Sequence, residues 1–282
     1  MEFDESRCIA LAGRINRGDL MIGILPLSVA EEVVAGLRAA GRSGSARAWI
    51  ELGSCYLGAS GDVLAPAFPS GETTLDQARQ CFAEAAALGD RDGALLFARS
   101  CADGPADAQR AAREHLRPHA ATDPAARYRL GLLEQWLGDP AAAVPHHEWA
   151  AERGDADAAF ELYVLHSTGE GVPRDEDLGR RWLIRAADLG QPRALYNLGA
   201  AHATGSGFPA DLTLAAAYYR RAADAGNPRA AAMLGYMHLT GEGVPEDAGT
   251  AAHWLDTAED LGHPVDDWLD HLGLDRPRGR HS

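Results

Sequence analysis

The octapeptide pattern Thr-Gly-x-Gly-(Val/Phe)-Pro-x-Asp occurs three times at a constant step of 36 residues. The copies are "TGEGVPRD" from Thr168, "TGSGFPAD" from Thr204 and "TGEGVPED" from Thr240. A single Gly-x-Gly could open a phosphate-binding loop, where bare backbone N–H groups cradle an anion. Three evenly spaced copies point elsewhere. A nucleotide site needs one such loop, whereas a stacked structural unit needs its turn once per unit.

The residues between the turns read as paired helices. The regular units are Ala156 to Gln191, Pro192 to Asn227 and Pro228 to His263. Asn227 followed by Pro228 is an N-cap with proline at the first helical position, where the missing N–H costs nothing. Ala194, Leu198 and His202 recur every four residues and predict one buried stripe. Gly205 supplies the positive φ that ends a helix, Gly207 loosens the turn, and Asp211 caps the second helix. That second helix turns Ala215, Tyr218, Tyr219, Ala222 and Ala223 inward and stops at Gly226. The glycines are therefore punctuation between paired helices.

Upstream the pattern is worn. A first unit, Arg47 to Asp90, keeps "AWIELGSCYLG" and "CFAEAAALGD" but inserts "GDVLAPAFPSGE", which reads as a surface loop. Thr74 with Gln77 resembles a capping box, as does Ser28 with Glu31. Units from Arg91 to Asp123 and Pro124 to Asp155 retain mainly their first helices. An early helix is expected over Asp4 to Asn16, another from Ser28 to about Gly41, and a closing helix in "PVDDWLDHLGL". The tail "DRPRGRHS" reads as frayed. The expected organisation is a helical cap over 1–45, three degenerate repeats over 46–155, three regular repeats over 156–263, and a capping helix and tail over 264–282. Array ends need such polar caps.

Composition removes several kinds of chemistry. All 26 basic residues are arginine. Without lysine there is no P-loop lysine, Schiff base or Ser-x-x-Lys nucleophile. A net charge of −15 argues against nucleic-acid binding, which needs a cationic footprint. Ala230 to Asp275 holds ten acids and no arginine, a solvated surface or a docking face for a basic partner. Cys8, Cys55, Cys81 and Cys101 show no metal or redox spacing and suit small buried thiols in a reducing cytoplasm. The start "MEFDESR" is acidic where a signal peptide is basic, and "LMIGILPL" is too short to span a bilayer. We expect a cytoplasmic protein without membrane contact.

The pattern Ala-x-x-x-Leu-Gly, then Gly-x-Gly-(Val/Phe), then Asp, then aromatics before Ala-Ala and Gly, resembles the Sel1-like repeat, a relative of the tetratricopeptide repeat. The resemblance runs through Ala156 to His263 and is weaker upstream. It implies an all-α, right-handed α-solenoid of about six helix-turn-helix repeats with helical caps, and in most members an adaptor between proteins. The family usually has Tyr where this chain has His166, His202 and His238, while Tyr56 is kept. Three histidines at a fixed step do not make a metal site. Equivalent stacked helices lie roughly 10 Å apart, and zinc needs each nitrogen within about 2.1 Å. They replace the packing and hydrogen bond of the Tyr. Some secreted members carry a disulfide in each repeat; Ala186 and Ala222 stand where those cysteines would be.

Other clusters weigh little. In "HHEW", His146 to Trp149, neighbouring side chains diverge by about 100° along a helix and do not converge on one ion. His115 and His119 have chelating spacing, but Pro118 interrupts the helix. Both groups read as surface or groove residues. No catalytic motif, cofactor or metal is expected. The first-helix edges carry a mixed column suited to a concave groove: Arg129, Phe160, Glu161, Arg193, Tyr196, Asn197, Arg229, Met233 and Tyr236. Asn197 sits where peptide-clamping relatives use an Asn, and Arg193 and Arg229 offer charge to a carboxylate. The expected function is a non-catalytic scaffold binding a peptide or protein partner. The alternatives are an inhibitor or immunity-type protein masking a basic partner, and an enzyme or small-molecule sensor on the same scaffold.

Overall fold

The fold is described from a computed structural model covering residues 5–16, 27–57 and 73–277. Among the described residues every regular element is a helix, and there are fifteen. The protein is an all-α solenoid. The chain divides into two compact units, residues 1–146 and 147–282.

The second unit holds the regular repeats. Its helix pairs are α9 (Ala156–Thr168) with α10 (Glu176–Asp188), α11 (Pro192–Thr204) with α12 (Leu212–Asp224), and α13 (Pro228–Thr240) with α14 (Ala248–Asp260). A last helix, α15, spans Val265–Leu272. One joint is built three times. Gly169, Gly205 and Gly241 end the first helices at φ of 79°, 74° and 74°, a region that L side chains enter only with strain. The amides of Asp175, Asp211 and Asp247 then reach back to the carbonyls of His166, His202 and His238, each at 2.9 Å. The carboxylates of the same aspartates accept the amides of Leu178, Leu214 and Thr250 at 2.9, 2.9 and 2.7 Å. Each aspartate thus closes one helix and starts the next.

Successive pairs are tied by amide side chains. Asn227 accepts the Ala230 amide at 3.0 Å, capping α13, and donates to the Pro192 carbonyl one unit earlier at 3.3 Å. Gln191 accepts the Ala194 amide at 2.8 Å and donates to Asp157 at 3.3 Å. Arg221 donates to the Ala187 carbonyl at 3.0 Å. Between the ties lies a closed apolar seam. Ala194, Leu198, Ala215, Tyr219 and Ala222 are at most 2% exposed, and His202 is 8% exposed. The stripe expected from the four-residue spacing is therefore present. Tyr218 is half-buried and stacks on His202 with ring centroids 5.6 Å apart.

The two helices of a pair approach at glycine. A Cβ on Gly199 would lie 2.7 Å from the Tyr219 ring, and one on Gly235 would lie 2.6 Å from Leu255. In the pair α9–α10 the close approach lies at other positions. Tyr163 stands at the place of Gly199, and Gly179 on the opposite helix gives way, with Ser167 Oγ 2.7 Å from where its Cβ would be.

The first unit contains α1 (Glu5–Asn16), α2 (Leu27–Arg42), α3 (Ala46–Leu57), α4 (Thr74–Ala87), α5 (Arg91–Ser100), α6 (Ala106–Leu116) and α7 (Pro124–Trp136); α8 (Pro140–Glu152) crosses the boundary. Leu37, Leu52, Tyr56, Phe82, Leu116 and Leu133 close its core. Tyr56 keeps the role expected of it: it is 2% exposed and its hydroxyl accepts from Arg38 at 3.1 Å. Two capping boxes are displaced from the sequence reading. Thr73, not Thr74, caps α4, and Asp76 answers by accepting the Thr73 amide at 3.1 Å. Gln77 is needed inside, where it accepts from Arg38 at 3.3 Å. Ser28 is the second residue of α2 rather than its cap. The expected loop "GDVLAPAFPSGE", residues 61–72, lies outside the described residues.

The glycine seam makes a prediction of sign. Ala normally stabilises a helix interior over Gly by about 0.5–1 kcal/mol. At Gly199 the added methyl meets a buried ring, so Gly199→Ala is expected to destabilise by about 1–3 kcal/mol, read by denaturant unfolding. A stabilised variant would refute the close approach.

Candidate partner-binding cleft

Eight of the nine groove candidates lie in the second unit; Arg129 lies in the first, with its guanidinium 5.3 Å from the centre of the Tyr128 ring. Phe160, Glu161 and Arg193 form one cluster. Arg193 lies 4.2 Å over the Phe160 ring and 3.5 Å from the Glu161 carboxylate. That arginine therefore has internal partners, although its side chain remains 57% exposed. Tyr196 leans on Tyr219 with centroids 5.6 Å apart. Tyr236 donates to Glu242 at 3.2 Å and meets the edge of Trp268 on α15. Arg229 is exposed and Met233 half-buried. Burial first, and then the Arg229 charge, hold the His263 imidazole below its ordinary pKa.

Asn197 has different neighbours from those its column suggests. It lines an open cleft of about 620 Å³ with Tyr163 of α9, Arg180 and Leu183 of α10, and Phe208 of the following turn. Arg174, Glu176, Thr204 and Ser206 stand around the same opening. The Arg180 guanidinium lies 5.8 Å from the centre of the Phe208 ring and 3.5 Å from Asp177. Sequence spacing alone gives no sign of Arg180, because it sits on a second helix, off the first-helix column.

The histidine column is structural in two units. His202 and His238 donate from Nδ1 to the carbonyls of Pro209 and Pro245, both at 3.1 Å. His166 departs from them: it is 8% exposed and both ring nitrogens are buried without a partner. In "HHEW", His147 is fully buried, which corrects its reading as a surface or groove residue. Burial first, then the Arg127 charge, lower the His146 pKa against a raising effect of Glu134. Among the described residues no group of three His, Cys, Asp or Glu is placed to hold a metal. None of the four cysteines is in a disulfide and all are buried, and burial pushes the Cys55 and Cys81 thiols up to about 12. They are shielded from acting as nucleophiles.

The acidic end is partly neutralised from within. Arg276, expected in a frayed tail, donates to Asp256 and Glu259 at 2.7 Å and to Asp266 at 3.0 Å. It pins α14 to the start of α15. No described helix is long and apolar enough to cross a membrane.

A family model of the Sel1 repeat matches residues 75–90, 156–191, 192–227 and 228–263. The chain carries Sel1-like repeats. The three full-length matches share their boundaries with the regular units read from the turn spacing. A solved Sel1 repeat protein from Oxalobacter formigenes is similar at 27% identity and a TM-score of 0.54, over 95% of this chain and 86% of that one. A protective antigen of uropathogenic Escherichia coli strains with an SLR fold is similar at 22% identity and a TM-score of 0.54. That match covers 86% of this chain but 53% of the antigen, so it supports the fold alone. No curated protein matches the chain. Sel1-like scaffolds generally bind protein partners.

Two measurements check this chemistry. At pH 8.5 the four thiols should react with a disulfide reagent at a rate set by unfolding, and at once in denaturant; prompt reaction of the native protein would show exposed thiolates. Arg276→Ala should cost about 1 kcal/mol at low salt, in line with exposed ion pairs, and less in 1 M NaCl. An unchanged denaturation midpoint at low salt would show that the clamp contributes nothing.

Proposed function

We propose that this protein is a non-catalytic scaffold that holds an extended or helical segment of a protein partner along its regular units. The contact surface we assign in the second unit comprises Phe160, Glu161, Arg193, Tyr196, Asn197, Arg229, Met233 and Tyr236; Arg129, in the first unit, is a separate candidate. One observation carries this reading. Asn197 and Met233 stay half-buried at matching places on α11 and α13, while their neighbours Leu198 and Leu234 are 1% and 2% exposed. The closed face repeats its residues; the adjoining face changes amide for thioether, as a surface shaped for a particular partner would.

A second reading, masking of a basic partner by the acidic end, rests on the ten acids between Ala230 and Asp275. Arg276 draws three of them into an internal clamp, so the groove is the better supported surface. Small-molecule sensing would instead appear as a raised Tm with metabolites, nucleotides or metals.

The test begins with a partner captured from the native host and identified by mass spectrometry, then purified. The variant Asn197→Ala/Arg229→Ala/Met233→Ala should bind it at least tenfold more weakly, as expected when hot-spot contacts are lost, with an unchanged far-UV spectrum. Full-strength binding by the folded variant would remove the groove and turn attention to the acidic face.

A further inference from the structure

The cleft beside Asn197 carries the reading further. Its chemistry is not repeated in the next unit. Moving 36 residues along the repeat replaces Tyr163 by Gly199, Arg174 by Ala210, Arg180 by Ala216 and Asn197 by Met233. At these four places the junction of α9, α10 and α11 carries a phenol, two guanidinium groups and an amide where the next junction carries glycine, alanine and methionine. Two arginines, Arg174 and Arg180, face the cleft with one acid, Glu176, so its lining has the opposite sign to a chain of net charge −15.

The donors at this junction are incompletely used. Arg174 is paired with Glu176 at 2.6 Å. Among the described residues Arg180 pairs only with Asp177, at 3.5 Å, and that carboxylate is 83% exposed to competing water. Asn197 makes no side-chain hydrogen bond among the described residues, so its amide is available to the cleft. Tyr163, Leu183 and Phe208 supply an apolar wall next to these donors. Tyr163 is half-buried and lines the cleft, while α9 and α10 approach each other at Gly179, beside Ser167. A second opening of about 620 Å³ shares Arg174, Glu176 and Arg180 and is floored by His166. That imidazole, buried and unpartnered, lacks the bond that His202 and His238 make to a proline carbonyl. A buried polar group without a partner is costly. Its place beside the same two arginines marks this junction as built for something other than closure.

We infer that the α9–α10–α11 cleft is a carboxylate seat: it takes an Asp or Glu side chain of the bound peptide, with a neighbouring apolar residue against Tyr163 and Phe208. The proposal rests on the scaffold reading above and moves the anion from Arg193, which already lies on Phe160 and Glu161, to Arg180. A planar guanidinium with free donors suits a carboxylate, and the Asn197 amide on the facing helix adds a second donor.

The experiment selects random twelve-residue peptides displayed against the full chain and measures affinity of the best one by titration. The expected result is a peptide bearing Asp or Glu beside an apolar residue. Its affinity should fall at least tenfold when that acid becomes Asn or Gln. It should fall equally on Arg180→Ala and on Asn197→Asp, and less on Arg180→Lys, with melting temperatures unchanged. Full-strength binding by both Arg180→Ala and Asn197→Asp overturns the seat. If that peptide then weakens tenfold on Arg193→Ala/Arg229→Ala, the scaffold reading stands without the seat; if it does not, or if no peptide is recovered, both fail. A free acid, 3-phenylpropionate, binding as tightly as the peptide and with the same dependence on Arg180 would overturn the peptide occupant.

Discussion

One backbone hydrogen bond sets the geometry of the regular array. In each regular unit an aspartate amide closes on the histidine carbonyl two residues before the end of the first helix, at 2.9 Å in all three copies. The left-handed glycine before it lets the chain turn back, and the carboxylate of the same aspartate opens the second helix. Because one residue performs both tasks, the angle between the helices is fixed by a joint that cannot lengthen without losing a cap. Everything packed between the helices inherits that angle, including the seam where Tyr219 rests on Gly199.

The cleft follows from a local exception to this uniformity. The joint of Thr168 to Asp175 keeps the same backbone bond as the others, although His166 lacks the bond to the proline carbonyl, and its helix pair carries Tyr163 where the later pairs carry glycine. α9 and α10 make their close approach at Gly179, beside Ser167, and the Tyr163 ring lines the surface facing α11. Arg180 and Asn197 then flank it. A repeat protein gains a distinct site by such substitutions, since the frame is supplied by the units that remain regular.

The regular units were legible because their signals are local. Caps, glycines and apolar stripes lie within a few residues of what they control, and repetition removes ambiguity. The displaced caps show the limit of that legibility. Thr73 and Thr74 are both competent N-caps, and the choice falls to Thr73 because Asp76 can answer it while Gln77 is required by Arg38, 39 residues away. The Arg276 clamp and burial of His147 depend on contacts distant in sequence, and nothing near those residues announces them. The candidate site was half legible. Its first-helix column could be read from spacing, whereas Arg180 comes from a second helix and joins Asn197 only when consecutive units stack.

The central claim is that the aspartate joint is a closed structural bond rather than a loop contact, and native-state hydrogen exchange tests it most directly. The amides of Asp175, Asp211 and Asp247 are predicted to be protected to the level of their helix interiors, because their opening requires the helix pair to separate. Exchange of these three amides at the rate of exposed turn residues would contradict the account.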